Sequence, residues 1–124
     1  MTDDRPMRIL VVDDEPEIRE LLRAVLGAEG WEVEELGSGQ EALEWLASNP
    51  VDFVVLDQRM PWLSGVDTAR RLLERGFSKP IALYSAYLDE VAETECKSLG
   101  LATVTKLDLP GLVDECRRAW LQAA

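Results

Sequence analysis

The chain has no histidine and only two cysteines, Cys96 and Cys116, which form no CxxC pair. A zinc site of the usual Cys/His type would therefore lack ligands, and two free thiols in a reducing cytosol are expected instead. The opening Met1-Thr2-Asp3-Asp4-Arg5-Pro6 carries no apolar stretch of the kind that directs export, and no run approaches the ~18 apolar residues that suggest a membrane span. Positive charge is scarce as well: 13 lysines and arginines face 24 aspartates and glutamates, for a formal net charge of -11. A surface of that sign repels the phosphate backbone of nucleic acid and the anionic inner face of a membrane, so neither is expected as a partner. A cytoplasmic location is the expectation.

What is present fits one soluble domain. Hydrophobic residues make up 47% and charged residues 30% of 124, a globular balance with length enough for a single core. The expected organisation is a flexible segment over 1–6 and one folded domain over 7–122, with no separate output domain. Short β-branched runs at Ile9-Leu10-Val11-Val12, Val51 to Leu56, Pro80 to Tyr84 and Leu101 to Thr105 suit strands covered on both faces. Trp31-Glu32-Val33-Glu34-Glu35-Leu36 alternates instead, as an edge strand with one wet face does.

Helical patterns fill the intervals. Ile18, Leu21, Leu22, Val25 and Leu26 make one apolar stripe that ends at Gly27 or Gly30. Ser38 is a candidate N-cap for a helix carrying Ala42, Leu43 and Leu46 and stopping at Asn49-Pro50. A third helix follows Gly65 to Gly76, a fourth runs from about Leu88 to Leu99, and a fifth starts near Asp108 and Pro110. Five strands alternating with five helices predict an α/β fold, a doubly wound parallel sheet with helices on both sides. In such a sheet, chemistry is sought just beyond the C-terminal strand ends.

Four of those ends carry a polar residue directly after an apolar run: Asp13-Asp14, Asp57, Ser85 and Lys106. Each alone has an ordinary reading, as loop solvation, a turn, a cap or an exposed lysine; together they require four coincidences in the right strand order. Three converging carboxylates repel unless a cation neutralises them, and an oxygen-only donor set favours a hard ion such as Mg2+, with Mn2+ the alternative. Mg2+, the Lys106 ammonium and the Ser85 hydroxyl could each hold one oxygen of a phosphoryl group. Asp57 stands alone at the end of the central strand and is the candidate nucleophile, whereas the pair Asp13 and Asp14 suits a metal.

These residues carry a family resemblance. Leu10-Val11-Val12-Asp13-Asp14-Glu15 resembles the first acidic motif of the receiver domains of two-component response regulators. Val54-Val55-Leu56-Asp57-Gln58-Arg59-Met60-Pro61-Trp62-Leu63-Ser64-Gly65 is similar to their phosphoacceptor motif, with Asp, Met-Pro and Gly in register. The resemblance covers about residues 7 to 122. It implies a flavodoxin-like five-stranded sheet of order 2-1-3-4-5 and a phosphoryl group accepted on Asp57 from a sensor histidine kinase or a histidine phosphotransfer protein. Asp14 would bind Mg2+ directly, Asp13 mainly through water, and the Arg59 backbone carbonyl would complete the protein ligands alongside Asp57. Ser85, followed by the small Ala86, matches the switch hydroxyl, and Lys106 the lysine that pairs with the phosphate. Arg59 and Tyr87 fall where side chains of the family control water access. A receiver of this kind catalyses only its own phosphorylation and dephosphorylation, and signals as a monomer or a phosphorylation-dependent homodimer through its fourth helix, fifth strand and fifth helix.

Two positions depart from the pattern. Thr103 stands where the family usually has an aromatic, and Leu107 where it has a proline after a cis bond, so a trans bond or local strain is expected there. These departures keep open a receiver-like interaction module with a vestigial site. A dehalogenase-like phosphatase would want Asp-x-Asp where Glu15 stands, and Asp13-Asp14-Glu15 would repel the phosphate of a flavin.

Overall fold

The computed structural model describes residues 4–123. Strands and helices alternate strictly: β1 (Arg8–Val12), α1 (Pro16–Gly27), β2 (Glu32–Leu36), α2 (Gly39–Leu46), β3 (Phe53–Leu56), α3 (Gly65–Glu74), β4 (Ile81–Ser85), α4 (Glu90–Leu99), β5 (Ala102–Thr105) and α5 (Leu109–Gln122). All strand pairs are parallel, in the order β2-β1-β3-β4-β5, which is the flavodoxin-like arrangement. No helix among the described residues is long and apolar enough to cross a membrane.

The unbroken apolar runs form the three inner strands because a parallel sheet with helices on both faces buries every side chain. Successive residues then serve opposite cores. Leu10, Val12, Val54, Leu56 and Leu83 join Ala69 and Leu72 of α3 and Cys96 of α4 on one face. Ile9, Val11, Phe53, Val55 and Tyr84 join Leu22 and Leu26 of α1 and Leu112 and Cys116 of α5 on the other. Both cysteines are free and buried, and burial pushes the Cys116 thiol up to about 12.

Helix starts follow the capping residues. Ser38 accepts from the Glu41 amide, Ser64 from Asp67, Asp89 from Ala92 and Asp108 from Gly111, each quieting one orphan donor of a first turn. α2 ends at Leu46, three residues before the expected stop at Asn49-Pro50. Ala47 and Ser48 bond back only three residues, to Glu44 and Trp45, and the Asn49 side chain takes the Trp45 carbonyl at 2.8 Å. The run at Leu101 to Thr105 is not covered on both faces: β5 is an edge strand, and its Thr103 and Thr105 are exposed.

Of the segment 1–6 expected to be flexible, residues 1–3 lie outside the described part. Arg5 makes a bidentate pair with Asp52 at 2.7 and 2.9 Å and sits 5.4 Å from the Trp120 ring centroid. The Arg5 guanidinium, with help from the Arg8 amide at 2.8 Å, outweighs burial and holds the Asp52 carboxyl below its ordinary value. A depressed folded pKa gives stability that is present above the unfolded value and lost as pH falls through the folded one. Asp52→Asn is therefore expected to cost about 1 kcal/mol at neutral pH, a modest figure because the half-exposed Arg5 is screened by water. The penalty should vanish in acid below the aspartate range; urea titrations at both pH values check it, and an equal penalty at the two would exclude the pair as its source.

Candidate functional site

β1, β3 and β4 end at the same edge of the sheet, and each hands its next residue or its last one to a common cleft. The Asp57 amide donates to the Val12 carbonyl at 2.9 Å and the Lys106 amide to the Ser85 carbonyl at 2.8 Å, extending the sheet one residue past the strands. The cleft, of about 370 Å³, is lined by Asp14, Glu15, Asp57, Arg59, Ser85, Ala86, Tyr87 and Lys106.

Carboxylate oxygens of Asp13, Asp14 and Asp57 all lie within 4.8 Å of one another. Asp13 and Asp57 are buried and Asp14 is exposed. The Lys106 ammonium lies 3.2 Å from Asp13 Oδ2 and 3.3 Å from Asp57 Oδ1, with Glu15 Oε2 at 3.9 Å. One ammonium thus lies within 4 Å of three acids. Burial pushes the Asp57 carboxyl above its ordinary value; the charge of Asp13 adds to that, and Lys106 works against it. Burial alone would pull the Lys106 ammonium down, but the charges of Asp57 and Asp13 outweigh it and its pKa is raised.

Asp13 is fixed from several sides. Its amide reaches the Leu36 carbonyl at 3.1 Å, its Oδ1 accepts from the Glu15 amide at 2.9 Å, and Arg19 donates to its carbonyl at 2.7 Å. Its Oδ2 is buried without a hydrogen-bond donor, since the nearby ammonium is close but not aligned. A buried carboxylate oxygen with no donor, beside two more carboxylates, is suited to a hard divalent cation. The residues present fit Mg2+.

Two expected site residues adopt particular positions. The Ser85 hydroxyl donates to the Tyr87 carbonyl at 3.1 Å, so it is engaged by the loop between β4 and α4 rather than aimed at Asp57. Thr103 is exposed on β5, beside Leu83 of β4. The Lys106–Leu107 bond is trans, and Leu107 takes a left-handed φ of 76°. For a residue with a Cβ that conformation costs about 1–2 kcal/mol. Trp62 has φ 72° in a γ-turn closed by the Leu63 amide and the Pro61 carbonyl at 2.8 Å, and its ring is 91% exposed.

Sequence reasoning missed two supporting residues. Gln58 holds the start of α3: its carbonyl accepts from Gly65 at 3.1 Å and its Oε1 from the Val66 amide at 2.9 Å. Tyr84, buried in the α1/α5 core, accepts the Leu107 amide on its hydroxyl at 2.7 Å. A tyrosine one place before a strand-end serine gave the only hint, because a buried phenol needs a polar partner.

Residues 9–106 match the family model described as the response regulator receiver domain. Among curated proteins, the response regulator MprA of Mycolicibacterium vanbaalenii is 46% identical over 88 residues, which cover 71% of this chain and 38% of MprA. The chain thus spans well under half the length of such relatives. A crystal structure of the response regulator protein TrrA from Thermotoga maritima, in complex with Mg(2+)-BeF, superposes with a TM-score of 0.82 at 34% identity, covering 91% of this chain and 98% of that one. The receiver domain of a Francisella response regulator has the same fold, with a TM-score of 0.88 at 22% identity over 95% and 99% of the two chains.

Proposed function

This chain belongs to the response regulator receiver domain family of two-component signalling, and from that premise we propose that Asp57 accepts a phosphoryl group from a phosphohistidine of a sensor histidine kinase or a histidine phosphotransfer protein. The observation that carries this reading is the Lys106 ammonium 3.3 Å from Asp57 in a cleft with two further aspartates. Asp13, Asp14 and Asp57, with the Arg59 backbone carbonyl, would hold Mg2+ or Mn2+. Bound there, the ion would supply charge neutralisation for the phosphoryl oxygens.

A carboxylate oxygen of Asp57 forms the new bond to phosphorus as the bond from phosphorus to the donor imidazole nitrogen breaks, leaving that electron pair on the imidazole. Lys106 neutralises oxygen charge on the transferring group. Ser85, once released from the Tyr87 carbonyl, donates to another of its oxygens, with the small Ala86 leaving room. Arg59 and Tyr87 limit the approach of water to the acyl phosphate. The chain acts only on itself and is not a turnover enzyme.

The domain would pass its state to a partner, or to a second copy, through α4, β5 and α5, by shifting an equilibrium already present. Thr103 in place of an aromatic makes that readout atypical. Incubation with acetyl phosphate and Mg2+ tests the reading: intact mass should show one added phosphoryl group, stable in acid and lost in alkali. Chelating the metal should reduce the labelling rate at least about 100-fold. Protein that stays unlabelled, or labels equally fast with chelator, would rule the mechanism out.

A further inference from the structure

Lys106 has to reach two carboxylates from a turn that is strained at the very next residue. Its amide is tied to Ser85 on one side, and Asp108 closes the turn on the other through the Thr105 carbonyl at 2.9 Å and the cap of α5 at 3.0 Å. Between these ties stands Leu107, left-handed and with an exposed side chain that packs against nothing in the core. Its backbone amide has one partner, the Tyr84 hydroxyl at 2.7 Å. Tyr84 itself is 1% exposed, locked into the core under α1 and α5, so its hydroxyl is a fixed point on which the turn can bear.

We infer that Tyr84 is a positioning residue for phosphoryl acceptance, holding the Leu107 amide so that the Lys106 ammonium stays over Asp57. The inference rests on the phosphoacceptor reading. Without the hydroxyl, the Leu107 N–H is left without a partner and its left-handed φ is restrained only by the ties on either side; a small rotation there swings the four-carbon stem of Lys106 away from the carboxylates. The aspartates themselves directly follow β1 and β3 and do not depend on this turn. Tyr84 touches no reacting atom, so its influence passes wholly through the lysine.

Tyr84→Phe, which deletes one oxygen and keeps the buried ring, is the test. Labelling by acetyl phosphate with Mg2+ should slow at least about tenfold, as a misplaced charge near the transferring group does. Calorimetric titration with Mg2+ alone should show affinity that is not weakened, because withdrawing the ammonium leaves the metal-binding oxygens in place. Hydrogen exchange at the Leu107 amide should be protected in the unsubstituted chain and accelerate in the variant. An unchanged labelling rate, an unprotected Leu107 amide, or rate and Mg2+ affinity falling together as in a general loosening would each overturn the inference. An unsubstituted chain that takes up no phosphoryl group would sink the phosphoacceptor reading itself, and is told apart because it needs no variant.

Discussion

Asp57→Asn should abolish labelling by acetyl phosphate, a loss of at least about 1,000-fold, and at the same time raise the melting temperature. The loss follows from chemistry: an amide oxygen is too weak a nucleophile to displace acetate or imidazole from phosphorus, while size and shape are kept. The gain follows from electrostatics. Burial and the neighbouring Asp13 raise the Asp57 carboxyl above its ordinary value, with Lys106 compensating only in part. A carboxyl whose folded pKa is raised favours the fold below its unfolded value, and that contribution is lost as pH rises through the folded one. At neutral pH the ionised group therefore works against folding, and asparagine removes the conflict. Intact-mass labelling and thermal melts in metal-free buffer measure the two effects. Undiminished labelling would place the nucleophile elsewhere; a lower melting temperature would show that the ion pair with Lys106 outweighs the repulsion.

Gly65→Ala should destabilise the chain by about 3 kcal/mol, equivalent to roughly 10 °C in melting temperature. A Cβ at position 65 would lie 3.0 Å from the Asp57 carbonyl carbon and 3.1 Å from Gln58 Cα, and closer still to the Asp57 carbonyl oxygen. These are backbone atoms of the residues that follow β3, and they cannot swing aside as a side-chain tip can. Either α3 lifts away, exposing Val66 and Ala69, or the end of β3 shifts and carries Asp57 with it. Labelling should therefore slow as well. Denaturant unfolding and the acetyl phosphate assay check both; a variant as stable as the parent would mean that α3 is free to slide.

The alternation of runs and stripes made the sheet and its helices legible, because burial on both faces leaves the interiors of β1, β3 and β4 apolar, with polar residues only at the ends, Arg8 and Ser85. Asp13, Asp14, Asp57 and Lys106 were legible for a related reason: a charged residue straight after such a run can only stand at a strand end. The glycine of the Asp57 motif was readable as a letter, but its cause, the close approach of α3 to the Asp57 carbonyl, is a matter of distance between backbones. The early end of α2 at Leu46 was hidden because Asn49-Pro50 is a strong stop signal, yet three-residue bonds close the helix before it is reached. Tyr84 and Gln58 escaped because each acts on a partner remote in sequence or through a backbone amide, and neither leaves a periodic trace. Thr103 and Thr105 read as strand and are strand; only strand order tells that they face water.

The opposite outlook of adjacent residues at the tip of β4 ties two loops to one strand. Tyr84 faces α1 and α5 and grips the turn after β5; Ser85 takes the carbonyl of the loop that leads into α4. A register slip of one place would exchange them, driving a bulky ring into the acidic cleft and leaving the Leu107 amide facing a side chain too short to reach it. Insertions and deletions should accordingly be tolerated in the exposed turns around Gly30 and Gly76 long before any is accepted between Ile81 and Ser85.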